Sequence, residues 1–314
     1  RQHVYPAFLA PLYATLPGLA GRSYDEQMRV RNESLFGTAD FYSRRLIELG
    51  HEAWDVHYNN RALQSAWAAE RGFRLSWRPT PRFRLRRGFL PWLSLERVRW
   101  REEALAAQIE EYRPDVVHNL DVEAIPASFW RRMKGRFRLL VGQTAAPISP
   151  DRDLSVYDLL VSSLPNYVER FQRDGHEARY LPLAFEPRVL ERVPEVERDV
   201  PVSFVGSLFS PHGARRRWLE DLCRSGLVQV WGHPIDSVGR GSPIRAAWRG
   251  TAWGIDMYRV LRRSRITLNR HIDIAQDRAN NMRLFEATGC GAMLVTDRKR
   301  NLAELFEPGR DVVD

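Results

Sequence analysis

The sequence predicts an α/β protein made of two doubly wound domains facing a cleft. Three observations predict it. Short apolar runs alternate with helical stretches along the whole chain, the pattern of parallel sheets with right-handed crossovers. The alternation stops once, at the charged, Pro-punctuated segment 186–201 (EPRVLERVPEVERDVP), and then restarts. A length of 314 residues also suits two such domains better than one core. The link divides a domain of residues 1–186 from one of residues 187–314.

In the first domain, residues 38–49 read as a helix closed by Gly50 as its C-cap. HEAWDVHYN (51–59) follows as a strand. An amphipathic helix over 96–112 ends at Pro114 and leads into the strand DVVHNL (115–120). A helix near 126–134 precedes FRLLVG (137–142). The strand YDLLVSS (157–163), a helix at 165–173 and the strand ARYLPLA (178–184) complete the half. In the second domain the strands are VSFVG (202–206), VQVWG (228–232), RITLN (265–269) and AMLVT (292–296). Helices are expected at 212–224, 254–263, 281–288 and 301–305. The domain stops in mid-pattern at Asp314, and the chain starts at Arg1, so both ends read as cut.

Open α/β sheets bind ligands beyond the carboxyl ends of their strands. The residues after each strand are therefore the candidates. Gly206 and Ser207 follow VSFVG, where a glycine admits close backbone approach and the next helix points its positive end. His212 and Arg215 open that helix, so an anion such as a diphosphate is the natural guest. An ordinary strand–helix turn reads as well there. Trp231 and Gly232 end VQVWG, and the indole reads either as a platform for a base or as core. Asn269 and His271 follow RITLN. Asn280 and Asn281 then stand at the mouth of the next helix, and an N-cap accounts for one of the two. Met282, Phe285 and Gly289 read as the buried face of the next helix. Arg283 and Glu286, three apart, share another side. They read as a surface ion pair, or as a guanidinium for phosphate and a carboxylate for a ribose diol.

These segments carry a resemblance. FVGSL, H…R, WG, TLNRH, NNMRLFEATGCGAMLVTD and NLAELFEPGRDVV resemble the carboxyl-terminal half of a GT-B glycosyltransferase, of the spore-maturation protein B-like branch. VYPAFLAPLY, ELGHEAWDV, LLVGQTAAP and YDLLVSSLPNYVERFQ resemble that group's acceptor-side domain. The resemblance implies two Rossmann-like domains and transfer of a sugar from a nucleotide-diphosphate donor, in bacterial glycan biosynthesis. It places Glu286 on the nucleotide ribose. Gly206, Ser207, Asn281, Met282 and Arg283 fall near the donor diphosphate, and Trp231 and Gly232 near the base. The position that carries a second glutamate in retaining relatives is Arg278 here, beside Asp277, which leaves the stereochemical course open. An inverting enzyme needs a base for the acceptor hydroxyl. His118 and Asp121 in DVVHNLD are the first-domain candidates, with His271 on the donor side. A core histidine and a capping aspartate account equally well for the first two.

No cofactor is expected beyond the nucleotide sugar as co-substrate, and no metal. DRD at 151–153 falls in a loop of the first domain, and the fold neutralises a leaving diphosphate with amides, a helix dipole and arginine. The acceptor is open among glycan, protein and lipid-linked molecules. No apolar run reaches the roughly 18 residues of a membrane span, no signal peptide is evident, and two cysteines make no disulfide framework. A cytoplasmic location follows. The net charge of +9 raises polyanion binding, but every basic residue except Lys134 and Lys299 is arginine, and they are scattered, so nucleic acid is not expected. RFRLRRGF (82–89) reads as a solvated face or as peripheral contact with the inner membrane face. The rival functions are a nucleotide-sugar 2-epimerase of the same fold and a non-catalytic polyanion-binding module.

Overall fold

The computed structural model describes residues 6–76, 80–86, 90–96, 99–208, 214–271 and 275–314. The chain divides into two compact units. Unit 1 takes in Arg1–Glu33, Thr38–Ser162 and Asn166–Arg179; unit 2 takes in Ser34–Gly37, Ser163–Pro165 and Tyr180–Asp314.

Unit 1 opens with helices, including Pro6–Thr15, Tyr24–Glu33, Phe41–Glu48 and Arg61–Glu70. Helix Phe41–Glu48 ends as its sequence predicts. Gly50 takes φ 88°, a left-handed value that suits glycine, and the His51 amide returns to the Leu46 carbonyl at 3.0 Å. The next stretch corrects the reading of 51–59 as a strand: residues 51–56 enter no described ladder. Of the segment 82–89, residues 82–86 are described, and they lie in a strand. Strands β1 (Thr80–Arg86) and β2 (Leu90–Glu96) pair antiparallel as a hairpin ladder. The alternation of Arg with apolar residues is a strand period hidden by Pro81 and Pro91.

The sheet of unit 1 holds β3 (Val116–Asn119), β4 (Leu139–Gln143), β5 (Leu159–Ser162) and β6 (Ala178–Tyr180), in that spatial order. β3–β4 and β4–β5 run parallel. Helix Pro165–Arg173 starts on proline, whose fixed φ suits a first turn. It buries Tyr167, Val168 and Phe171, while its arginines stay outside. Trp130, Phe129, Leu140 and Leu160 are fully buried nearby in the chain order.

Unit 2 contains β7 (Val200–Ser207), β8 (Val228–His233), β9 (Trp248–Gly250), β10 (Ser264–Leu268), β11 (Met293–Val295) and β12 (Val312–Val313). Their spatial order is β12-β11-β10-β7-β8-β9, and every pair is parallel. Numbered within the unit, this is the doubly wound order in which the first and fourth strands lie side by side and the connections diverge to either side. Phe204, Val228, Val230, Leu219, Ile244 and Leu268 form the core under one face. Segment 186–201 is more regular than its composition suggests. It contains a short helix, Arg188–Arg192, anchored by the buried Val189. No helix among the described residues is long and apolar enough to cross a membrane.

Candidate functional site

The switch point of unit 2 lies between β7 and β10, and its crevice is beyond their carboxyl ends. Gly206 and Ser207 end β7, opposite Gly232 and His233 of β8. A Cβ on Gly206 would sit 3.4 Å from Arg215 Nη2, so the guanidinium lies directly over this strand end. Gly232 has a packing reason of its own. A Cβ there would meet Leu208 Cγ at 2.6 Å and the Gly206 carbonyl at 2.8 Å. Trp231 is half-buried beside it. His212 lies outside the described residues.

Arg215 is held over the Phe204 ring at 5.3 Å, and Arg270, two residues beyond β10, lies over Trp218 at 5.7 Å. Burial first, and then the neighbouring charges of Arg270 and Arg283, hold the Arg215 guanidinium below the ordinary arginine range, with Asp297 opposing. Three guanidiniums thus share one partly buried place. Like charges so arranged repel and ask for a counter-anion. Among the described residues, Arg215 Nε and Arg283 Nε are buried without a hydrogen-bond partner.

Helix Met282–Gly289 brings the remaining groups. Asn281 caps it, its Oδ1 accepting from the Arg283 amide at 2.8 Å, so the capping role expected of one asparagine is filled. The buried residues of this helix are Leu284, Glu286 and Ala287, which corrects the expected buried face of Met282, Phe285 and Gly289. Those three are half-buried because the helix has neighbours on that side also. Phe285 meets Phe306 with ring centroids 5.6 Å apart, and Gly289 lies against Phe185. The Arg283–Glu286 pair is 2.9 Å apart with side chains only 12% and 11% exposed, so it is not a surface pair. Arg283 Nη1 is close to Glu286 Oε2 but misaligned for a hydrogen bond. The contact is Coulombic and leaves N–H directions over.

Asn269 is committed to the sheet. Its amide donates to the Val295 carbonyl at 2.8 Å and its Nδ2 to Thr296 Oγ1 at 2.9 Å. His271 is buried, with Nδ1 2.7 Å from Asp297 Oδ1. Nδ1–H donated to that carboxylate fixes the tautomer and leaves Nε2 for another group. Nε2 has no hydrogen-bond partner among the described residues. Asp297 also meets Lys299 at 3.3 Å. Burial raises its pKa, but the ring and amide of His271, with Lys299, outweigh it and hold the carboxyl well below the usual range. Arg270 and Asp297 are the residues that reading the sequence missed. Both lie two residues beyond a strand, β10 and β11, so the strand-end rule reaches them as well.

Unit 1 holds the other two candidates. His118 sits in β3 with its ring edge-on to Tyr42 at 5.4 Å. Burial pushes its pKa down to about 4, against a hydrogen bond with Gln143. Asp121 accepts the Glu123 amide at 3.0 Å and closes a local turn. The DRD aspartate Asp153 holds Ser155 and Arg131. Among the described residues, no three His, Cys, Asp or Glu side chains are grouped to hold a metal ion.

Residues 205–313, which span this crevice, match the family model of glycosyl transferase-like domains. No curated protein is significantly similar to the chain. Among solved structures, it is similar to Anabaena HepE in complex with UDP and glucose (12% identity, TM-score 0.47), over 68% of this chain and 66% of that one. It is similar to a glycosyltransferase from Rickettsia africae (10% identity, TM-score 0.49), over 86% and 79%. A glycosyltransferase involved in avilamycin A biosynthesis is similar at 17% identity and a TM-score of 0.42, over 65% and 61%. The chain thus spans just under two thirds of the first and third of these proteins. Within the matched residues lie Gly206, Arg215, Arg270, His271, Arg283, Glu286 and Asp297.

Proposed function

We propose that the protein is a glycosyltransferase that moves a sugar from a nucleoside-diphosphate sugar, held by unit 2, to an acceptor. The observation that carries this reading is the group of three guanidiniums at the switch point, with Arg215 Nε and Arg283 Nε buried and without a hydrogen-bond partner among the described residues. A diphosphate supplies the missing negative charge. Its charge grows as the sugar–phosphate bond breaks, and preorganised guanidiniums favour that state over the ground state. They supply the positive charge that a metal ion provides in other transferases, so transfer proceeds without one. Glu286, buried one turn into the adjacent helix, accepts hydrogen bonds from the ribose hydroxyls. His271, oriented by Asp297, presents Nε2 to the departing phosphate or the sugar. The cytoplasm suits Cys223 and Cys290, free thiols that burial raises to about 11 and about 12.

Thermal unfolding with UDP, GDP, dTDP, ADP and CMP tests the reading. One nucleoside diphosphate should raise the Tm, and Glu286→Gln should abolish the rise. The reading is lost if no nucleotide shifts the Tm while heparin or duplex DNA does.

A further inference from the structure

A cavity of about 550 Å³ opens in unit 1, and no residue of the crevice described above lines it. It is lined from helices Tyr24–Glu33 and Phe41–Glu48 and from the run Ala53–Asp55. Its size is that of a small-molecule pocket.

Carboxylates outnumber cations on its wall, with the buried Arg31 guanidinium acting on Asp40 and Asp55 from behind. Asp25, Asp40 and Asp55 contribute carboxylates, and Asp55 already accepts the Ser43 hydroxyl. Asn32 Oδ1 is buried there with no hydrogen-bond partner among the described residues. Arg44 is the cation of the lining, and it lies 3.1 Å from Glu48 in an ion pair. Beside the hydroxyls of Tyr24, Ser43 and Tyr112, the wall therefore offers more acceptors than donors and suits a ligand rich in donors. At the rim, Trp54 lies flat on Tyr112, with centroids 5.0 Å apart and planes within 1°. Trp54 is still 48% exposed, so one indole face is held open in a fixed orientation.

We propose that this pocket binds an unphosphorylated saccharide, neutral or amine-bearing, with its C–H face on Trp54 and its hydroxyl or ammonium groups donating to Asp25, Asp55 and Asn32. An anionic ligand meets like charge on the wall. A purely apolar one strips water from carboxylates and an amide oxygen and returns no hydrogen bond. A sugar satisfies both the flat apolar surface and the acceptors. Naming this sugar the acceptor rests on the glycosyltransferase reading; the pocket itself does not.

Saturation-transfer NMR on the full chain tests it with glucose, galactose, N-acetylglucosamine, glucosamine and glucose 6-phosphate. An unphosphorylated sugar should bind, and saturating UDP should not displace it. Trp54→Ala and Asp25→Asn, both at exposed positions, should each weaken binding about tenfold, the loss of one stacking or charged hydrogen-bond contact. The proposal is overturned if none of these sugars binds to protein that still unfolds cooperatively. It is equally overturned if glucose 6-phosphate binds as tightly as glucose, or if both variants bind like the parent. Sugar binding without any nucleotide response upholds the pocket and removes only the transfer reading.

Discussion

The His271 ring and Asp297 are joined twice: one oxygen, Asp297 Oδ1, lies 2.7 Å from Nδ1 and accepts the His271 amide at 2.9 Å. The aspartate follows β11 and the histidine follows β10, so the pair locks two adjacent strand ends together. Because Asp297 is held well below the usual carboxylate range, its contribution is present above the unfolded value of about 4 and is lost as pH falls below that. Asp297→Asn should therefore destabilise the protein by roughly 1–2 kcal/mol at neutral pH and flatten its acid limb. Urea denaturation at neutral pH and again near pH 3 measures both effects.

Glu286 and Arg283 form a buried pair, and breaking it leaves a charge uncompensated. Glu286→Ala should cost about 3 kcal/mol as well as nucleotide affinity. Replacing both, Arg283→Met with Glu286→Leu, should return stability to within about 1 kcal/mol of the parent and still give no response to nucleotide. Chemical denaturation paired with nucleotide titration separates the two effects. A double variant that stays nucleotide-responsive would refute the donor-site role.

His118 is depressed to about 4 by burial, against an ordinary value of about 6.5. A histidine buried neutral contributes stability that is whole above the unfolded value and is lost as pH falls towards the folded one. Up to about 3 kcal/mol is at stake between those limits. His118→Gln should lower the slope of stability against pH in that window by up to one proton. Stability measured in steps from pH 7 to about pH 4 checks it. As a general base His118 would be weak at neutral pH, so activity that rests on it should persist well below pH 6.5.

Gly289 carries a packing constraint. A Cβ there would fall 2.4 Å from Phe185 Cγ and 2.6 Å from Cδ2, which are ring atoms close to the backbone and slow to give way. Gly289→Ala should cost roughly 1–3 kcal/mol, and Phe185→Leu in the same chain should recover part of it. Urea midpoints of the single and double variants give the answer.

Much of unit 2 was legible in its residues. VSFVG, VQVWG, RITLN and AMLVT all lie on or overlap β7, β8, β10 and β11. A strand buried on both faces reads as an apolar run, and these runs are bracketed by glycine and polar residues. β9 and β12 escaped because they span three and two residues, too few to show a period. In unit 1 the helix Pro6–Thr15 carries Pro11 inside it, a residue that argues against a helix. HEAWDVHYN has strand composition, but composition does not supply a neighbour to pair with. On helix Met282–Gly289, apolar residues occupy more than one side, so periodicity alone could not say which side meets the sheet.

By itself the sequence determined most elements of unit 2, the strand ends at which its polar residues gather, and the arginine and glutamate of helix Met282–Gly289. Only the tertiary structure decided the strand order. Pairing β7 with β10 joins Val202 to Ile266 and Phe204 to Leu268, across a stretch of chain that holds β8 and β9. That choice sets Arg215 among Arg270 and Arg283, and His271 against Asp297. The reason is physical: local preferences fix φ and ψ residue by residue, whereas neighbours in a parallel sheet are chosen by which apolar faces bury each other over long loops. The candidate site is therefore set by the order of the strands, not by any one of them.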